Sequence, residues 1–161
     1  MDKYTEWTSP NNSATENALL IAAHLCDEEK VREVGKNAGF WVAKFLAGVG
    51  LPTGYAWCAS FVSFCLREAG YKGGPKTGRA AVRNWAAWAK ETNRIVEHPQ
   101  RGDLFYWLNS DGTGHIGFVV RNRGQFVDTI SGNTNEAGSR EGDGIYRKAI
   151  SIGSRLRFIR L

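Results

Sequence analysis

Residues 82–108 read VRNWAAWAKETNRIVEHPQRGDLFYWL, and the hydrophobic period changes inside this stretch. Val82, Trp85, Ala86, Trp88 and Ala89 recur at the spacing of an amphipathic helix, predicted from about Gly78 to Thr92. Beyond Pro99 the grammar becomes one of strands, the first over Asp103–Leu108. The regular elements N-terminal to this switch all read as helices. Ser13-Ala14-Thr15-Glu16 has the spacing of a capping box and opens a helix over Ala18 to about Val34. A second helix carries Phe40, Trp41, Phe45 and Val49 and stops at Gly50-Leu51-Pro52. Cys58–Ala69 forms a third, with Phe61, Val62, Cys65 and Leu66 on its inward face. On the other side of the switch, strands are predicted over Gly114–Arg121, Gln125–Ile130, Gly144–Ile150 and Arg155–Leu161. Turn residues separate them, Gly132-Asn133 among these. Short connections favour an antiparallel meander, so the prediction is an α+β fold: N-terminal helices packed on a roughly five-stranded antiparallel sheet.

The chain of 161 residues fits one domain spanning 1–161, and 42% hydrophobic residues exclude disorder. Nineteen glycines, about 12% against a usual ~7%, imply many turns or close backbone approaches. Six tryptophans imply a large core or a stacking surface. The net charge of +5 gives a mild positive field, but no basic run is long enough for a nucleic-acid arm. No apolar run reaches the length of a membrane span, and Met1-Asp2-Lys3 is not a basic n-region feeding a secretory segment. The expectation is a protein made in the cytoplasm without a signal peptide.

Three cysteines, with no closely spaced pair, argue against a disulfide framework. Cys26 and Cys65 fall on inward helix faces and read as buried structural thiols. Cys58 differs. It follows the turn Thr53-Gly54-Tyr55-Ala56-Trp57 and starts a strongly apolar helix, where the dipole and backbone N–H groups favour a thiolate. A nucleophilic thiol also needs a base. His24 reads as a packed or rim histidine and His98 as a solvated linker residue. His115 opens a strand between Gly114 and Gly117, with room to face a helix start. Asn133, at the end of the following strand, is a plausible orienter of the imidazole, although a turn residue reads equally well there. One cysteine and one histidine are too few ligands for zinc, so neither metal nor other cofactor is expected.

Gly54-Tyr55-Ala56-Trp57-Cys58-Ala59-Ser60-Phe61-Val62 resembles the nucleophile motif of CHAP domains, the cysteine, histidine-dependent amidohydrolases/peptidases. Arg101-Gly102-Asp103-Leu104-Phe105-Tyr106-Trp107 is similar to the start of that family's first strand, and Gly114-His115-Ile116-Gly117-Phe118-Val119 to its histidine motif. Ile130-Ser131-Gly132-Asn133-Thr134 resembles its third motif, where many members have glutamate in place of Ser131. Upstream, Glu33–Gly39 and Val49–Pro52 resemble the N-terminal region of phage and prophage members. The resemblance covers roughly residues 17–150 and implies a papain-like fold related to the NlpC-type cell-wall hydrolases.

The resemblance further implies a peptidoglycan hydrolase with a catalytic set of Cys58, His115 and Asn133. The bond cut would be N-acetylmuramoyl-L-alanine or a stem or cross-bridge peptide bond, through a thioester. Loss of the family glutamate at Ser131 shifts the orienting role to Asn133 and implies a less active enzyme. Trp57 and Trp107 are the candidate groove-lining, substrate-binding aromatics, with core packing an equal alternative for each; Trp41, Trp85 and Trp88 read as core and Trp7 stays unassigned. The expected partner is peptidoglycan, reached by a monomer after holin-dependent release or injection by a secretion system. No nucleic acid or membrane insertion is expected. A non-catalytic wall-binding module of the same fold and a papain-like peptidase acting on proteins are the competing readings.

Overall fold

The structure, a computed structural model, describes residues 4–135 and 142–161, so Met1-Asp2-Lys3 lies outside the described residues. Four helices precede a sheet. They are α1 (Ala14–Asp27), α2 (Phe40–Ala47), α3 (Cys58–Glu68) and α4 (Val82–Glu91). The strands are β1 (Ile95–Val96), β2 (Leu104–Leu108), β3 (Gly114–Asn122), β4 (Phe126–Thr134), β5 (Gly144–Ser151) and β6 (Arg157–Ile159). They form one antiparallel sheet in the order β1-β6-β2-β3-β4-β5. The α+β expectation therefore holds, with helices first and the sheet after.

Besides a later start of α4, at Val82 rather than near Gly78, three details differ from the sequence reading. α1 starts where predicted, with Ser13 Oγ accepting the Glu16 N–H at 3.1 Å, but it ends at Asp27 rather than near Val34. Lys30 takes the left-handed conformation at φ 48°, and the Val31 N–H closes back on the Leu25 carbonyl, a helix stop without glycine. β1 is an extra, two-residue strand that pairs with β6, and β6 in turn returns to pair with β2, so only β2–β5 form the predicted meander. Finally, Gly132 and Asn133 lie within β4 rather than in a turn. The β4–β5 register shifts between Ser131 and Thr134, and Asn133 sits at φ 55°, a β-bulge that redirects side chains near the strand's end.

α3 is the central helix. Its residues Cys58–Leu66 are all buried, because α1, α2 and the sheet pack around it. Phe61 meets Phe118 of β3 edge-on, and Phe45 stacks on Trp57, so large apolar side chains fix the position of the helix start over the sheet. The opposite face of the sheet carries a smaller cluster of Phe105, Val119, Val127, Leu156 and Phe158. At β2's start, Asp103 is buried and receives the Arg160 guanidinium at 2.9 Å, which ties the sheet's two ends of sequence together.

Candidate active site

The loop before α3 is anchored from below. Trp57, the residue ahead of Cys58, is fully buried, and its Nε1–H donates to Glu33 Oε1 at 2.6 Å. Glu33 Oε2 accepts the Asn37 N–H at 2.8 Å, and the Asn37 carbonyl accepts the Gly54 N–H at 2.9 Å. One carboxylate thus braces both the indole and the turn that leads to the thiol. Gly132 completes this corner: a Cβ there would lie 2.5 Å from the Trp57 ring, so only glycine lets β4 close on it. Of the two readings open for Trp57, groove or core, the structure supports the core. Trp57 is an anchor there, since its ring has no exposed face and its one polar atom is satisfied internally.

Across the cleft, β3 presents His115, 7% exposed. Its ring is tilted against Trp107 with centroids 5.0 Å apart, and Nε2 hydrogen-bonds Ser131 Oγ at 3.0 Å. Gly117 makes that bond possible, because a Cβ on it would stand 2.6 Å from the Ser131 Cβ and from the Ile130 carbonyl oxygen. Burial pushes the His115 pKa down to about 4, and the positive charge of Lys148 adds to the shift. The imidazole is consequently neutral at pH 7. Lys148 itself donates to Thr134 Oγ1 at 3.0 Å.

Cys58, His115 and Asn133 line one cleft of about 150 Å³, walled by Ala81–Arg83 at the start of α4 and by Gly112–Gly114 of the β2–β3 turn. The three predicted catalytic residues are thus brought together, but not with the predicted contacts. Ser131, not Asn133, is bonded to the imidazole Nε2. Asn133 is 4% exposed, and its Oδ1 has no hydrogen-bond partner among the described residues. The bulge explains the exchange of roles, because it turns Asn133 away from the alternation that keeps Ser131 on the His115 face.

Trp107 is also placed differently from expectation. It supports the imidazole and stacks on Phe105, and it lines a separate cleft with Ile150 and Leu156 rather than the cleft of Cys58. Cys26 and Cys65 are structural: burial raises the Cys26 thiol to about 11 and pushes Cys65 well above the ordinary range. His24 stacks on Trp7 at 3.6 Å, which gives that tryptophan a place, and His98 lies exposed in the linker. Among the described residues no cluster of three or more His, Cys, Asp or Glu could hold a metal ion. No described helix is long and apolar enough to cross a membrane.

Two site residues escaped the sequence reading. Ser131 was read only as a missing glutamate, although it lies two residues from Asn133 on the same strand. Glu33, 24 residues from Trp57, carries no local signal for its role.

With a thiol at a helix start and a neutral imidazole on the facing strand, the family comparison becomes specific. The CHAP-domain family model matches residues 50–133, which include Cys58, His115, Ser131 and Asn133. The chain belongs to the CHAP family. CHAP domains act as hydrolases of amide bonds, as peptidoglycan amidases or peptidases. No curated protein and no solved structure matches the chain.

Proposed function

We propose that this CHAP protein hydrolyses an amide bond of peptidoglycan through a thioester on Cys58. The observation that carries this reading is the cleft shared by Cys58 and a His115 that is neutral at pH 7. A neutral imidazole accepts a proton, and with Nε2 held by Ser131 the nitrogen left for the thiol is Nδ1. The thiol proton passes to Nδ1 as sulfur attacks the amide carbonyl. No side chain caps the first turn of α3, so backbone N–H groups of that turn are placed to stabilise the developing oxyanion. The imidazolium then protonates the leaving amine, which departs and leaves the acyl group on sulfur. A water molecule gives a proton to the imidazole and attacks the thioester; collapse releases the acid and restores the thiol.

Ser131 gives this mechanism a particular character. A carboxylate at that position would stabilise the imidazolium, whereas a hydroxyl orients the ring and adds no charge. Burial and Lys148 also work against the protonated ring, so the resting imidazole is neutral. The imidazolium formed during the reaction then lacks the stabilisation of a carboxylate, and turnover is slower than a carboxylate partner would allow.

The test is digestion of purified peptidoglycan, with mass spectrometry of the released fragments. New amine termini on L-alanine identify an amidase, and cleaved stems or bridges identify an endopeptidase. Release of peptides from casein with intact peptidoglycan would overturn the reading in favour of a protein peptidase. Intact walls and intact casein would leave a wall-binding module.

A further inference from the structure

The cleft of Cys58 is small. At about 150 Å³ it falls below the about 300–1,000 Å³ typical of ligand sites. A second cleft of about 360 Å³ lies beside it, walled by Glu33, Lys36, Asn37 and Asp143. The two share Ala56 and Asn133 as a common wall. Asn133 therefore stands where any substrate reaching from one cleft into the other must pass.

Its side chain has a need that the described protein does not meet. Oδ1 is buried and only accepts hydrogen bonds, and among the described residues no donor reaches it. The backbone at φ 55° holds it there, in a region that asparagine tolerates better than most residues. The imidazole does not use it, because Nε2 is bonded to Ser131. A buried unsatisfied acceptor at a cleft wall is destabilising until a donor arrives, and each peptide unit of an amide substrate carries an N–H.

We propose that the two clefts form one substrate trough and that Asn133 binds substrate: its Oδ1 accepts a peptide N–H of the stem peptide next to the scissile bond. This deepens the peptidoglycan reading and rests on it. Asn133 thereby selects for a secondary amide beside the reacting carbonyl, while Ser131 alone orients His115. The second cleft, walled in part by Glu33, Lys36, Asn37 and Asp143, holds the continuation of the peptide.

The experiment measures binding of soluble muropeptides, released from purified peptidoglycan by a muramidase, by isothermal titration calorimetry. Cys58→Ala serves as the inert parent and is compared with the same protein carrying Asn133→Gly or Asn133→Asp. In parallel, iodoacetamide alkylation of Cys58 is followed against pH in Asn133→Gly without substrate. The expected result is about tenfold weaker binding with glycine, which keeps the backbone conformation but removes the acceptor. Binding near the parent is expected with aspartate, which keeps an acceptor oxygen. The alkylation midpoint should stay where it is in the unaltered protein. Equal affinity for the glycine variant, or a shifted midpoint, would overturn the inference and return Asn133 to the imidazole. Absence of muropeptide binding to every variant, the parent included, would overturn the peptidoglycan reading and this inference with it. Should Asn133→Gly lose its melting transition, Asn133→Ala, which likewise removes the acceptor, carries the same comparison with the same two outcomes.

Discussion

Around Trp57, the indole N–H, both Glu33 carboxylate oxygens and the Asn37 and Gly54 amides are all paired. At the bulge of β4, a single bond joins Ser131 to His115, and Asn133 Oδ1 has no partner among the described residues. The first region holds the turn that leads to Cys58, and the paired indole N–H at its centre makes alternatives costly. The second lines the cleft of Cys58, and in the proposed reading its unmet acceptor leaves binding energy to be realised when the cleft is filled. Rigidity is thus concentrated around Trp57, and the unmet hydrogen-bonding capacity lies at the bulge of β4.

The comparison can be broken or sharpened by experiment. The largest effect is expected for Cys58→Ala, with release from peptidoglycan falling at least about 1,000-fold while the melting transition is kept. Retained activity would remove the cleft from the chemistry altogether. Acid should act next most strongly, through the His115 side. The folded His115 titrates near 4 and the unfolded one near 6.5, so between these values the unfolded chain binds more protons. Stability is then complete above about pH 6.5 and lost as pH falls toward 4, by about 3 kcal/mol in total. Chemical denaturation from pH 4 to pH 7 measures this slope, and His115→Phe should flatten it.

On the anchored side, Glu33→Ala strips the acceptor from a buried indole N–H and should cost about 2 kcal/mol. Glu33→Gln retains one acceptor oxygen for the two donors and should fall between. Urea denaturation reads both, and a slower alkylation of Cys58 in the alanine variant would show that the anchor reaches the thiol. The smallest effect is expected for Ser131→Ala, about a tenfold loss in kcat with KM little changed, because the ring loses its orienting bond while substrate contacts stay. A KM effect larger than the kcat effect would put Ser131, too, on the binding wall.

Much of the architecture was legible because it depends on near neighbours in sequence. The Ser13 cap, the alternation of β3 and the switch at Pro99 are set by local pattern. The end of α1 was not, since Lys30 adopts a left-handed conformation that no glycine announces. Gly132-Asn133 looked like a turn because those residues serve turns well, and a bulge uses the same conformational freedom inside a strand. At the site, Cys58 and His115 stood out from their flanking residues. The bond from Ser131 and the brace from Glu33 are contacts between distant segments, invisible until the sheet and the loop are folded together. For Trp57 groove and core stood equally open in the sequence, because lying next to Cys58 says nothing of which way a ring points.

The return of β6 to β2 has a kinetic meaning. The β2–β3 hairpin, which carries His115, forms from neighbours in sequence, whereas β6 reaches β2 only after β3, β4 and β5 have been laid down between them. Pairings of such long separation form late. Until then the outer edge of Leu104–Leu108 stands open, with its backbone donors and acceptors unclaimed and its side chains apolar. Refolding yield should therefore fall as protein concentration rises, through strand pairing between chains, and the edge that must be guarded belongs to the same hairpin that carries His115.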